Sequence, residues 1–248
     1  MMNDYLQNLN EGISVDCVIF GFDFDQLKVL LIQRESSNSI NESQFSLPGD
    51  LIFNNENLDQ AANRVLKELT GLENIFLEQI GAFGDLDRLS KKEDREWLES
   101  IRKQPDARVV TIAYYALVNI HSFDPKPSNF AKTVTWQPID EIKTLAFDHM
   151  RILNQGRQYL QSKLKTQPIG FNLLPKKFTL SQLNKLYEVI IGKTLDKRNF
   201  RRKMINLKIV KKLDEKQEGV PHKPSSFYQF NKKNYDKLVK DGYDNFGF

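Results

Sequence analysis

The 248 residues, 40% hydrophobic and 27% charged, supply core material for two modest domains, and their net charge of +4 conceals an uneven distribution. No early stretch joins a basic start to an apolar run and a cleavage site, and no apolar run approaches the ~18 residues of a membrane span, which excludes secreted and membrane-embedded classes and predicts a soluble cytoplasmic protein. The single Cys17 excludes an internal disulfide and a zinc site, and its setting in the apolar run 15–20 predicts a small buried hydrophobe.

In chain order, residues 14–21 and 27–33 are apolar, β-branched runs joined by Phe22-Asp23-Phe24-Asp25 and predict a hairpin. Asn57 or Asp59 caps a helix that Gly71 closes. Along it Leu58, Ala61, Ala62, Val65, Leu66 and Leu69 make one apolar stripe, while Arg64 and Glu68 form an i,i+4 pair. Residues 90–104 carry a dense charge run that includes Lys91, Lys92, Glu93, Asp94, Arg95 and Glu96. This run reads as a solvated surface helix, the alternative being a lid or dimer arm with Trp97, Leu98 and Ile101 as its apolar contact face. Residues 109–119 predict a further strand with Tyr114 and Tyr115 on opposite faces; 140–145 and 150–165 predict helices leading to a break at Pro168 and Gly170. A mixed sheet flanked by helices follows from this order.

From Pro168 onward there are 18 Lys plus Arg against 8 Asp plus Glu, a net of +10, whereas the first 167 residues are net −6. Such asymmetry predicts a polyanion partner for the basic part. Within it Thr179 caps a helix over 180–191 with Leu180, Leu183, Leu186, Tyr187 and Ile190 on one face, and Gly192 ends it. Asp196 caps a second helix over 197–207, where Phe200, Met204 and Leu207 share one side and leave Arg198 and Arg202 on the opposite one. This is the layout of a recognition helix. Arginines there fork to guanine edges or phosphates, Asn199 suits adenine, and Lys197 and Arg201 extend the basic surface. Residues 209–213 and 226–230 predict two strands around a wing, 214–225, that carries Lys216, His222 and Lys223. Single-strand RNA readers interleave exposed aromatics with basic residues on a sheet, whereas here Phe227, Tyr228 and Phe230 gather in one strand, so double-stranded DNA is the expected partner.

Residues 49–72 resemble a Nudix box, whose hydrolytic form reads G, five residues, E, seven residues, then R-E-apolar-x-E-E-x-G-apolar. Registered on Gly71, the residues Glu56, Arg64, Glu68 and Leu72 fall on the pattern, while Asp50 stands at the opening glycine, Val65 at the first helix glutamate and Leu69 at the last. The resemblance implies that three helix glutamates would build the oxygen cage of a divalent metal; with Glu68 alone remaining and Glu56 nearby, neither a two-metal clamp nor an activated water is expected. No metal, no cofactor and no hydrolytic activity are therefore predicted.

Together with Gly81-Ala82-Phe83-Gly84, Asp87-Arg88, Tyr114-Tyr115-Ala116-Leu117, the stretch 170–180 and Asp196-Lys197-Arg198-Asn199-Phe200-Arg201-Arg202-Lys203, the box makes nearly the whole chain resemble the Nudix-related transcriptional regulators. Within them it is similar to the arabinose regulator of the Bacteroidetes group; relatives that regulate NAD metabolism sense ADP-ribose. The resemblance implies an α/β Nudix fold, an α/β/α sandwich with a mixed sheet, over 1–167 for effector sensing and dimerisation. A winged helix-turn-helix DNA-binding domain over 168–248 follows it. It implies a homodimer that represses sugar-utilisation genes from an operator palindrome and is released by a small sugar effector such as L-arabinose. A hydrolase of ADP-ribose, or an ADP-ribose-sensing regulator, is the alternative. The insertion 90–104 departs from the family beside its ligand-side loops. Asp16, Arg34, Asp87, Arg88 and Arg108, in or beside strands, are the candidate effector-binding residues, with ion pairs at strand ends as the alternative; His149 reads as a structural cap or a satisfied core group.

Overall fold

A run of fourteen residues, Leu9–Phe22, whose later part is apolar throughout, forms β1, a strand long enough to serve three partners, β2 among them. The computed structural model describes residues 8–34, 45–127, 131–221, 223–244 and 246. β1 pairs antiparallel with β4 (Gly49–Phe53) and parallel with β6 (Val110–Val118), in register from Ile13↔Val110 to Gly21↔Val118. β2 (Leu27–Arg34) pairs antiparallel with β3 (Phe45–Ser46) and β7 (Ala131–Pro138), and β5 (Glu78–Phe83) with β6. Among the described residues the result is a seven-stranded mixed sheet of order β3-β2-β1-β6-β5, with β4 joined to β1 and β7 to β2. A central strand covered on both faces has no polar side to spare, which is why Val15 and residues 17–20 are all buried apolar groups.

Helix α1 (Leu58–Thr70) begins on a capping box, Asn57 accepting from the Gln60 amide and Gln60 reaching back, and ends on Gly71 at φ 70°. Its stripe of Ala61, Ala62, Val65, Leu66 and Leu69 packs against Val15, Cys17, Ile112 and Tyr114. α2 (Lys92–Ile101) falls in the charge-rich insertion, and α3 (His149–Thr166) follows β7. The chain divides into two compact units: residues up to 21 with 28–118 and 123–157, and residues 22–27 with 119–122 and everything from 158 onward.

In the second unit β8 (Phe178–Thr179) precedes α4 (Leu180–Ile191) and α5 (Lys197–Asn206); β9 (Val210–Lys216), β10 (Ser226–Phe230) and α6 (Lys232–Lys240) complete it. Its strands run β8-β10-β9. α4 starts on the Thr179–Gln182 capping box and stops at Gly192, φ 78°, before α5 starts on the Asp196 cap. Tyr187 meets Phe200 edge-on at 5.3 Å, fixing α4 against α5, and Phe171 stacks on Phe230 at 4.4 Å.

Two expectations need correction, and one helix was not expected. Residues 140–145 do not form an α-helix. The chain makes one 3-10 turn, Ile139–Glu141, after Pro138, and the Ala146 amide then donates to the Phe45 carbonyl, which holds this segment to β3 instead of letting it coil. The strand expected at 209–213 extends to Lys216, because ladder pairing continues as far as Ser226↔Lys216 and shortens the wing loop. α6, capped by Asn231, was not anticipated.

Candidate functional site

The box helix places its signature residues in two environments. Val65 and Leu69 are fully buried in the apolar cluster. Arg64 and its carboxylates form a separate knot: Arg64 Nη2 and Nε donate to Glu56 at 2.6 and 2.9 Å, Nη1 donates to Glu68 at 3.1 Å, and Nη2 also donates to the Leu51 carbonyl. The guanidinium lies 4.1 Å from the Phe53 ring centre. Partial burial would raise the Glu56 carboxyl, but the Arg64 hydrogen bond and the Phe53 amide outweigh it and hold it below its ordinary value. Both surviving box carboxylates therefore serve one arginine. The residues present do not fit a divalent metal, which needs several oxygen ligands; among the described residues no group of three or more His, Cys, Asp or Glu could hold one.

The polar centre of the first unit lies elsewhere, in a cleft with about 510 Å3 of empty space, open mouth included. Asp16 on β1 forms its floor. The carboxylate faces His149 Nε2 at 3.3 Å and Arg88 Nη2 at 3.5 Å, and Arg88 also holds Asp148 at 3.0 Å. The Leu47 amide donates to His149 Nδ1 at 3.0 Å, which leaves that ring its Nε2 proton to give to Asp16. Burial alone would raise the Asp16 carboxyl, yet His149, then Arg88 and Thr111, hold it down at about 2. Gly49 is the residue of β4 opposite Asp16, and a Cβ there would overlap the carboxylate. This glycine keeps Asp16 in place.

Of the candidate effector residues, the structure brings Asp16 and Arg88 together in the cleft. Arg108 is exposed, donates to the Gly84 carbonyl, and lines an adjacent depression with Asp85, Arg95 and Asp106. Asp87 is exposed in the turn before α2. Arg34 ends β2, and its side chain lies outside the described residues. Sequence reasoning did not count Asp148 or Phe147 among the effector residues, nor Arg102, nor Trp97, which it named only in the apolar face of an alternative lid or dimer arm. The last two sit in the charge run that read as a solvated surface helix.

In the second unit α5 buries Phe200 and Met204 and leaves Lys197, Arg198, Asn199, Arg201 and Arg202 exposed. Arg202 donates to the Asn199 side-chain oxygen at 2.8 Å, so two of the base-reading candidates are linked. Arg201 shares a groove with Lys212, Lys216, Lys223 and Ser181. Lys212 and Ser181 were not anticipated, and His222 lies outside the described residues. A row of cations beside an exposed helix can follow a phosphate backbone while the helix meets base edges.

Comparison with known proteins agrees with this division. Residues 11–155 match the NUDIX domain family, and residues 170–230 match the NrtR DNA-binding winged helix domain. Over 228 residues the chain is 33% identical to the ADPR responsive transcriptional repressor NtrR of Acinetobacter baylyi, spanning 90% of this chain and 84% of that protein. It is also similar, at 26% identity over 152 residues, to an ADP-ribose pyrophosphatase of Methanocaldococcus jannaschii, spanning 61% of this chain and 76% of that one. Among solved structures, Shewanella oneidensis NrtR complexed with a 27mer DNA is similar with a TM-score of 0.67 and 26% identity, covering 90% of this chain and 95% of that one. These relatives do not support the expected arabinose regulator of sugar utilisation, because the curated repressor is described as responsive to ADP-ribose.

Proposed function

The chain belongs to the NUDIX-domain transcriptional regulators of the NrtR family, and from that premise we propose that it is an ADP-ribose-responsive repressor that binds operator DNA through its winged helix. In this reading residues 1–167 sense the effector and dimerise, and residues 168–248 bind DNA. The cleft around Asp16, Arg88 and His149 receives ADP-ribose. Two copies present two recognition helices, which must stand about 34–36 Å apart, one helical turn of DNA, to engage both half-sites of a palindrome. The observation that carries the reading is one chain that joins a NUDIX box stripped of ligand-forming carboxylates to an exposed cationic helix. Fluorescence anisotropy on DNA from upstream of the neighbouring operon tests it. ADP-ribose should release the protein and L-arabinose should not; release by L-arabinose alone would contradict the assignment.

Hydrolysis of ADP-ribose is the second reading, favoured by the similarity to a pyrophosphatase. It conflicts with the box, where two of the three glutamate positions are apolar and buried and the third pairs with Arg64. Purified protein with magnesium or manganese is therefore expected to release no AMP from ADP-ribose above the uncatalysed background in a coupled phosphate assay. Turnover that disappears in Glu68→Gln would contradict this.

A further inference from the structure

Helix α2 is fastened at its start to the segment before α3. Lys91 Nζ donates to the carbonyls of Leu145 and Phe147, each at 2.8 Å, and the buried Asp94 carboxylate accepts the Phe147 amide at 2.6 Å. Phe147 sits at φ 52°, a left-handed conformation that costs a non-glycine residue energy and persists only where its surroundings impose it. Trp97, one turn further along α2, meets the Phe147 ring edge-on at 6.0 Å, and both line the cleft. The insertion is therefore a wall of the cleft.

That wall ends on Arg102, the C-cap of α2, which also lines the cleft. The other described arginines in and around the cleft are committed: Arg88 to Asp148 and Asp16, Arg108 to the Gly84 carbonyl. The Arg102 guanidinium makes no hydrogen bond or ion pair with any described residue, although it feels the more distant carboxylates of Asp50, Glu11 and Asp16. Burial pulls it below the ordinary arginine value, a sign that water no longer fully solvates the charge. A partly desolvated guanidinium lacking a direct partner is short of an anion.

We propose that Arg102 is the phosphate-recognition residue of this cleft, forking onto the diphosphate oxygens of a nucleoside diphosphate effector. The inference rests on reading the cleft as the effector site. A guanidinium matches phosphate geometry bidentately, and the clamp of Lys91 and Asp94 on residues 145–147 holds the helix that carries it. A neutral pentose brings no anion to Arg102. A sugar diphosphate does, and its hydroxyls meet the acidic side of the cleft at Asp50 and Asp16.

The test uses the full chain in a Trp136→Phe background, where Trp97 is the remaining tryptophan and reports from the cleft wall. ADP-ribose, inorganic pyrophosphate and L-arabinose are titrated by fluorescence and by calorimetry into this protein and into its Arg102→Ala and Arg102→Lys variants. ADP-ribose affinity should fall roughly 10- to 100-fold in Arg102→Ala, the range for a charge-assisted hydrogen bond, and recover in part in Arg102→Lys. The thermal midpoint should not move. Equal ADP-ribose affinity in Arg102→Ala and its parent would overturn the inference and leave the effector reading standing. Arg102-dependent binding of pyrophosphate without binding of ADP-ribose would support the inference and sink the effector reading. Binding of neither compound to the parent would overturn both.

Discussion

Arg88→Met is expected to lower the stability of the first unit by about 3–5 kcal/mol in urea denaturation, the cost of breaking a buried ion pair by removing one partner. Arg88 is 6% exposed, and its guanidinium serves Asp148, Asp16 and the Val109 carbonyl. A methionine of similar reach takes the guanidinium from both carboxylates and leaves Asp16 with His149 and Thr111 as its remaining partners. A loss below about 1 kcal/mol, the range of exposed pairs, would mean that the network does not hold these elements together. Acid probes the same group of side chains. Because the folded Asp16 carboxyl is depressed from 3.8 to about 2, its contribution is complete above pH 3.8 and is lost as pH falls through about 2. The shift corresponds to roughly 2 kcal/mol. Arg88→Met removes one of the groups that hold Asp16 down, so the acid transition of the variant should move to higher pH.

Arg198→Ala and Arg202→Ala are each expected to weaken operator binding by about 1–3 kcal/mol and to relax base preference at the position read, in competition anisotropy against operator and scrambled duplexes. Both side chains are exposed on α5, opposite buried Phe200 and Met204. Since Arg202 donates to Asn199, its removal also frees that amide, and the pair Arg202→Ala with Asn199→Ala should be non-additive. Lys216→Ala and Lys223→Ala, in the groove beside Arg201, should weaken operator and scrambled DNA alike and lower the salt slope by about one each. Arginine variants that lose affinity equally for both duplexes would show that α5 contacts only the backbone.

Elements defined by local chemistry were legible in the sequence, whereas the cleft was not. The α1 and α4 boundaries follow from residues within one turn: Asn57 with Gln60, Thr179 with Gln182, and glycines where the backbone turns left-handed. The exposed face of α5 follows from the spacing of Phe200 and Met204. The cleft joins Leu47 to His149 and Arg88 to Asp148, partners 102 and 60 residues apart, and no periodicity records such pairings. His149 was read as a structural cap or a satisfied core group, and its role in fixing Asp16 emerges only when β1, β4 and α3 come together. The charge run of α2 misled for a related reason. Lys91 and Asp94 look solvated in sequence, yet they satisfy the backbone of residues 145–147, and Asp94 is 2% exposed. β3 is two residues long and shows no run at all.

Effector and operator are expected to compete through one protein, and a pair of titrations tests this most directly. ADP-ribose is titrated calorimetrically into the full chain with and without saturating operator DNA, and the operator affinity is measured with and without saturating ADP-ribose. An effector acts on DNA binding only by preferring one arrangement of the protein, so the two sites must weaken each other by the same factor, roughly 5- to 150-fold for a coupling of 1–3 kcal/mol. Equal reciprocal factors in that range are the predicted result. An ADP-ribose affinity that is the same with and without operator would contradict the account, because the NUDIX domain would then bind its ligand without controlling DNA.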